Sequence, residues 1–170
     1  DPTDLTVTFF THCESGDFES AALCLDLRGL PPSKRRTLGP LLAWKLAASI
    51  QRLGYLYGQD IPVDPIRPPY AWYTGSEGIV ECNRINLENQ SEKWVFSKNT
   101  VSQIDSLWEK VKDREVNIRW QILGNPIPPP NLAKFSKTGA NAPPKNLQQK
   151  FSSPRQMIQG FLRSIDEAEH

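Results

Sequence analysis

The chain has 170 residues, a length that suits one domain with an extension or two small domains. Its formal net charge of +1 gives no electrostatic reason to expect a nucleic acid as partner, and its 5 Trp, 7 Phe and 4 Tyr are enough to build a core. No run approaches the ~18 apolar residues of a membrane helix, and no charged-then-apolar signal segment begins the chain. Because Asp1 stands in place of a start methionine, we expect a soluble piece of a longer protein.

Three helices are predicted in the first third of the chain. The first spans residues 2–14, with Asp1 as cap and Pro2 at its first position. Residues 15–17 end it and cap a second helix over about 18–26. The third spans about 33–53 and is predicted to be the longest and most buried. The apolar stripe of the first helix consists of Leu5, Phe9, Phe10 and Cys13.

The third helix opens with the basic group Lys34, Arg35 and Arg36. This group lies at the end of the helix where the dipole disfavours positive charge. The favoured interpretation is a solvated first turn. The alternative is a contact with an anionic partner, such as a neighbouring domain or a lipid headgroup.

Residues 54–73 are rich in aromatic residues and proline, which predicts a stiff loop. Such a loop more often covers the edge of a core, but it is also suited to stack on a sugar or hold a peptide. A pocket for a ligand or an interface is therefore a hypothesis for four aromatic side chains. They are Trp44, Tyr70, Trp72 and Trp94.

A hairpin is predicted from two strands, residues 79–87 and 94–96, with a polar turn between them. Ser97 is a good N-cap for a helix that begins at once and runs to about Lys112. Its apolar face repeats every three or four residues, so it is expected to complete the core. The residues of this face are Val101, Ile104, Leu107, Trp108 and Val111.

The last third of the chain begins with alternating apolar residues. Val116, Ile118, Trp120 and Ile122 predict a half-buried strand. Residues 124–152 lose all periodicity and hold six of the 15 prolines, which predicts a linker. Residues 153–170 repeat the proline-started amphipathic pattern of the first helix. They are interpreted as the first helix of a second repeat.

No catalytic group can be assembled from these residue types and spacings. The two histidines have no Cys or carboxylate at ligand spacing, so we expect no metal site, no cofactor and no enzyme activity. Three cysteines without a CxxC pair are favoured as small buried hydrophobes, although one disulfide with one free thiol stays open. They are Cys13, Cys24 and Cys82.

Three segments carry a family resemblance: 16–31 (GDFESAALCLDLRGLP), 94–109 (WVFSKNTVSQIDSLWE) and 153–162 (SPRQMIQGFL). In this order they resemble the region ahead of the membrane helices in some bacterial members of the small-conductance mechanosensitive channel family. The resemblance covers about residues 1–112 and 153–170. It implies a periplasmic domain whose partners are the rest of the same membrane protein and copies of itself. No pore helix lies within the chain, so channel activity is not expected of this piece alone.

The sequence therefore predicts an α+β domain over residues 1–123, with N-terminal helices packed on a small, mostly antiparallel sheet. A proline-rich linker (124–152) and a further helix (153–170) come after it as a C-terminal extension. The predicted function is non-enzymatic sensing or assembly. The alternative is a small-ligand or glycan-binding module that uses the aromatic pocket.

Overall fold

The computed structural model describes residues 1–53, 68–87, 91–117 and 127–131. The chain divides into two compact units, Asp1–Pro128 and Pro129–His170, and the described helices and strands all lie in the first. Of the predicted strand after residue 115, only Val116 and Asn117 are described, and neither is in a strand. Residues 118–126 and 132–170 lie outside the described ranges, so the predicted linker and last helix stay predictions.

The first helix, α1 (Pro2–Glu14), confirms the prediction made from its cap and its stripe. The backbone N–H of Asp4 donates to Asp1 Oδ1 at 2.9 Å, and the Asp1 amino group donates back to Asp4 at 3.3 Å. This reciprocal pair gives an acceptor to the Asp4 amide, which the helix leaves free, and to the N-terminal ammonium group. Gly16 then takes a φ of +76°, which glycine adopts at no steric cost. The predicted stripe is buried: Leu5, Phe9, Phe10 and Cys13.

The second helix, α2 (Phe18–Ala22), is shorter than predicted. The sequence pattern extends it to Asp26, but the chain leaves the helix at Leu23 and runs beside a strand. Phe96 N–H donates to the Cys24 carbonyl at 2.8 Å, and Asp26 N–H donates to the Phe96 carbonyl at 2.9 Å. Two sheet-type hydrogen bonds thus take the main-chain groups that a longer helix would have used. A single 3-10 turn occupies Leu27–Gly29.

Helix α3 (Pro32–Leu53) is the longest described element, as predicted. It approaches α2 and the 3-10 turn closely at Gly39, where a Cβ would lie 2.9 Å from Leu27 Cδ1 and 3.2 Å from Ala22 Cβ. Lys45 interrupts the apolar face of α3, and its ammonium group forms an ion pair of 2.6 Å with Asp105. The close approach brings the N-terminal half of α3 next to residues 22–28.

Three antiparallel strands form the sheet in the order β1-β2-β3: β1 (Tyr70–Gly75), β2 (Gly78–Asn86) and β3 (Glu92–Phe96). The predicted hairpin is the pair β2 and β3. The prediction of a covering loop over residues 54–73 is wrong at its end, because Tyr70 begins β1. A register shift between Ala71 and Tyr73 breaks the alternation of this strand at Trp72, so it lacks a clean period of two.

Helix α4 (Lys98–Val111) begins at Ser97, which accepts a hydrogen bond from Thr100 N–H at 3.1 Å. The same first turn is fastened to β2 at Glu81, and we name this contact the strand–helix joint. Glu81 N–H donates to Thr100 Oγ1 at 2.8 Å, and Ser97 N–H donates to the Glu81 carbonyl at 2.9 Å. The predicted apolar face of α4 is buried throughout.

The core lies between the sheet and the helices. Helix α4 packs on β2 and α3, while α1 packs on α2, α3 and β3. The ring of Phe9 meets that of Phe96 edge to face at 5.0 Å, and Trp44 meets Trp108 in the same way at 5.0 Å. These contacts confirm the predicted α+β class. No helix in the described ranges is both long and apolar enough to cross a bilayer.

Candidate functional site

One concave feature of the first unit is a groove of about 550 Å³. It runs between the chain from α2 to the 3-10 turn, the N-terminal half of α3, and the hairpin of β2 and β3. We call it the cationic groove. Its charged lining residues are Glu19, Asp26, Arg28, Arg35, Arg36 and Lys93, and its other lining residues are Ala22, Leu23, Leu25, Leu27, Pro32, Pro40, Ile85, Leu87 and Val95.

The groove owes its shape to the early end of α2. Because Cys24–Asp26 extends beside Phe96, the side chain of Leu23 is left 66% exposed at one lip. Leu87, directly after β2, is 41% exposed and also lines the groove. Between the lips, Leu25 and Val95 are buried and form an apolar floor. The site therefore combines exposed apolar lips with a closed base.

One pair of charges in the groove is fully matched. Asp26 is only 5% exposed, and it accepts from Arg28 Nε at 2.8 Å and from Arg28 Nη2 at 2.8 Å. The hydrogen bonds from the Arg28 side chain hold the pKa of the Asp26 carboxyl below its usual value. Asp26 also accepts from Arg28 N–H at 3.2 Å, which starts the 3-10 turn. This pair is part of the architecture and leaves little charge to offer a ligand.

Of the other cations of the groove, two bond to neutral carbonyls, and the third has no partner among the described residues. Arg35 Nε donates to the Leu30 carbonyl at 2.9 Å, and Lys93 Nζ donates to the Leu23 carbonyl at 3.1 Å. In the described part of the chain, the exposed Arg36 guanidinium makes no ion pair or hydrogen bond. Glu19 is the one carboxylate besides Asp26 among the lining residues. Positive charge is thus in excess here, although the whole chain carries a formal net charge of only +1.

The four aromatic residues proposed from the sequence are not gathered at this groove. Trp44 (6% exposed) packs on Trp108 of α4, and Trp72 (7% exposed) lies at the irregular point of β1. Tyr70 and Trp94 belong to the two outer strands of the sheet, on either side of β2. Trp94 is half-buried, with the Arg84 guanidinium 5.7 Å from its ring. None of the four lines the cationic groove.

Only part of this site has a visible signal in the sequence. Of the basic group at the start of α3, Arg35 and Arg36 line the groove, whereas Lys34 does not. Sequence reasoning missed Lys93, Leu23 and Leu87. These residues come from separate segments that meet only because α2 ends early.

The cysteines are free thiols, and all three are buried, in keeping with the favoured interpretation. Burial raises the pKa of each thiol, and that of Cys82 reaches about 12. Thiols of this kind are poor nucleophiles at neutral pH, because the reactive thiolate is scarce. Among the residues that the structure describes, no group of three His, Cys, Asp or Glu side chains is placed to hold a metal ion.

The first unit is thus a small α+β domain with a groove lined by apolar residues and cations. Comparison of the chain with protein-family models, with curated proteins and with solved structures finds no match. The groove is therefore the structural feature from which a function can be argued.

Proposed function

We propose that this chain is a non-enzymatic sensing or assembly domain that binds a partner through the cationic groove. Its setting is the extramembrane, periplasmic side of a protein that resembles the small-conductance mechanosensitive channels. The observation that carries the proposal is the groove itself, where exposed Leu23 and Leu87 flank an apolar floor. Arg36, which also lines it, has no partner among the described residues. Apolar surface rimmed by polar residues is typical of protein interaction sites.

The placement of the resemblance segments supports this proposal. Residues 16–31 form α2 and the 3-10 turn, which supply one wall of the groove. Residues 94–109 form the end of β3 and most of α4. The two segments meet at Phe96, whose main chain bonds to both Cys24 and Asp26. A body fastened in this way is suited to carry a contact made at the groove into α4.

A small-ligand module is the second candidate, and the size of the groove favours it. About 550 Å³ falls within the ~300–1,000 Å³ of typical ligand pockets. The site for such a ligand is then the cationic groove, not the four aromatic residues. Against this, ligand pockets present a few polar groups that converge on the ligand. Here the Arg28, Arg35 and Lys93 head groups are already held by protein acceptors.

The test of the channel setting begins with the coding sequence beyond His170. We expect membrane-spanning helices there, and a stop codon directly after this residue contradicts the proposal. The full-length protein is then expressed in giant bacterial spheroplasts and studied by patch clamp under graded suction. We expect a tension-gated current whose threshold or channel number changes when residues 1–117 are deleted.

Two results of the patch-clamp experiment would overturn the proposal. The first is the absence of any tension-gated current from a full-length protein that reaches the membrane. The second is a current with the same threshold and the same channel number after deletion, since a sensing or assembly domain must affect one of them. A deletion variant checked for expression in the membrane fraction separates loss of the protein from loss of its function.

A further inference from the structure

We infer that the cationic groove takes an acidic, amphipathic peptide segment of a partner protein. This inference deepens the proposed function and rests on its non-enzymatic, partner-binding part, but not on the channel setting. The carboxylates of the partner bind the cations of the groove, and its small aliphatic side chains pack on the apolar floor. The charge, the apolar surface and the shape of the groove each support it.

The charge of the rim selects an anion. Arg36 has no partner in the described residues, so a carboxylate that approaches it breaks no existing ion pair. Arg35 and Lys93 donate to main-chain carbonyls, which are neutral acceptors. A charged carboxylate is a stronger acceptor than a neutral carbonyl, so these two side chains gain by turning to it. Arg36 can thus meet a carboxylate as it stands, whereas Arg35 and Lys93 must first give up a neutral acceptor. Among the lining residues, Glu19 is the one carboxylate outside the Asp26–Arg28 pair.

The apolar surface selects a partner that also carries hydrophobic groups. Four large hydrophobic side chains are exposed among the described residues, namely Val7, Leu23, Leu38 and Leu87. Two of them, Leu23 and Leu87, line this one groove. An inorganic anion or a highly acidic, fully polar chain would leave these two leucines in water. A segment that alternates carboxylates with aliphatic side chains covers both kinds of surface at once.

The shape favours a peptide over an anionic membrane. The apolar lining residues Leu25 and Val95 are buried, whereas Arg36 is exposed. A lipid surface is met best by hydrophobic groups that project from the protein beyond its cations. Here two of the apolar lining residues, Leu25 and Val95, are buried, so a partner must reach inward to contact them. Side chains from a peptide can do so, as in other groove-binding modes.

The test uses fluorescence anisotropy with the 170-residue chain. The probes are short fluorescein-labelled peptides in which the order of Leu, Glu and Ser is permuted across a panel. Two matched panels replace every Glu by Lys or every Leu by Ser. We expect binding to members of the Leu/Glu panel only, and a marked loss of affinity as salt is raised, because exposed charges are screened.

Variants locate the binding on the protein. Arg36→Glu is expected to weaken binding by about tenfold or more, since it places like charges opposite each other. Lys34→Glu is the matched control: it makes the same charge change two residues away, on a side chain that does not line the groove. Leu23→Ser is expected to weaken binding too, with Val7→Ser as its control, because Val7 is 62% exposed but lies outside the groove. Circular dichroism confirms that each variant is folded.

Several outcomes would overturn the inference. They are no binding by any Leu/Glu peptide, equal binding by the Lys panel, or equal weakening by Arg36→Glu and Lys34→Glu. Binding instead to phosphatidylcholine vesicles that contain phosphatidylglycerol, with the same dependence on Arg36, would assign the groove to a membrane surface. Failure here leaves the patch-clamp result unaffected. Conversely, peptide binding by a chain whose gene ends at His170 would keep this inference and end the channel setting.

Discussion

The strand–helix joint and the cationic groove differ in how their polar groups are paired. At the joint, the Glu81 main chain is bonded to Thr100 and Ser97, both nearly inaccessible to solvent. At the groove, Arg36 is exposed without a described partner. Most buried polar groups in folded proteins are paired, because an unpaired one lowers stability. Unpaired ones that stay in solvent are available for a function.

The core between α3 and α4 is the place where a substitution should lower stability most. Trp108 is 4% exposed and packs between Trp44 and the Arg52 guanidinium, which lies 5.2 Å from its ring. We expect Trp108→Ala to lower the free energy of unfolding by about 3–5 kcal/mol, because it removes a large buried ring and leaves a cavity. Urea denaturation at pH 7 measures the change. The matched change at the groove, Leu23→Ala, should stay within about 0.5 kcal/mol.

If both variants lost the same stability, the distinction between a structural core and a functional groove would fail. Leu23→Ala is an informative control because Leu23 directly follows the end of α2. Any effect of the substitution on this helix would lower the stability of the variant. An unchanged dependence of the unfolding energy on urea in both variants excludes a change in the extent of the unfolded surface.

The joint itself gives the second largest effect. Thr100→Val keeps the shape of the side chain but removes the Oγ1 that accepts from Glu81 N–H at 2.8 Å. We expect a loss of about 1–3 kcal/mol in the free energy of unfolding, because a partly buried amide is left without an acceptor. Thr100→Ser keeps the hydroxyl and should retain most of the stability. A loss in Thr100→Ser with no loss in Thr100→Val would mean that packing of the methyl group, not the hydrogen bond, holds the joint.

A paired carboxylate near the C-terminal end of α4 should make the stability of the fold depend on pH. Glu77, in the turn between β1 and β2, accepts from Tyr73 at 2.5 Å and from Arg114 at 2.6 Å, and these bonds lower the pKa of Glu77 from 4.5 to about 2. A carboxylate with a lowered pKa stabilises the folded state above its unfolded pKa. That contribution is complete above about pH 4.5 and is lost as the pH falls toward 2.

We therefore expect thermal unfolding to show a melting temperature that falls as the pH drops from 4.5 to 2, and a weaker fall in Glu77→Gln. Tyr73→Phe removes the largest cause of the low pKa, so its pH dependence should be reduced in the same direction. A slope identical to that of the wild type in both variants would assign the acid sensitivity to other carboxylates.

The sequence predicts those elements of the fold whose signals are local, and it misses those that depend on residues remote in sequence. Helices α1 and α4 are predicted correctly because their caps, Asp1 and Ser97, and their apolar stripes are local signals. The end of α2 is not predictable, since the competing partner of Cys24 and Asp26 is Phe96, which is remote in sequence. The irregular pairing at Trp72 hides β1 in the same way.

The candidate site is harder to predict from the sequence than the fold is. A basic group at the start of α3 is visible in the sequence, but whether it faces solvent or a groove depends on the neighbouring segments. Lys93 and Leu87 reach the groove from the hairpin, and Leu23 reaches it from the end of α2. No spacing rule joins residues from three segments, so the groove is a product of the tertiary fold.

The smallest effect expected on stability differs from the others in sign. Arg36 has Arg35 as a positive neighbour in the groove and lies near the start of α3, where the helix dipole disfavours a cation. We expect Arg36→Gln to leave the free energy of unfolding unchanged or to raise it by a few tenths of a kcal/mol at low salt, with no difference at high salt. Urea denaturation at two salt concentrations measures both values.

Arg84→Gln is the matched control for this change, because Arg84 pairs with Glu92 at 3.0 Å and stacks on Trp94. Its loss should cost up to ~1 kcal/mol. A loss of stability in Arg36→Gln as large as that in Arg84→Gln would mean that Arg36 has a structural role. Residues that lower stability are typical of functional sites. If Arg36 serves the groove, Arg36→Gln should therefore raise the free energy of unfolding or leave it unchanged.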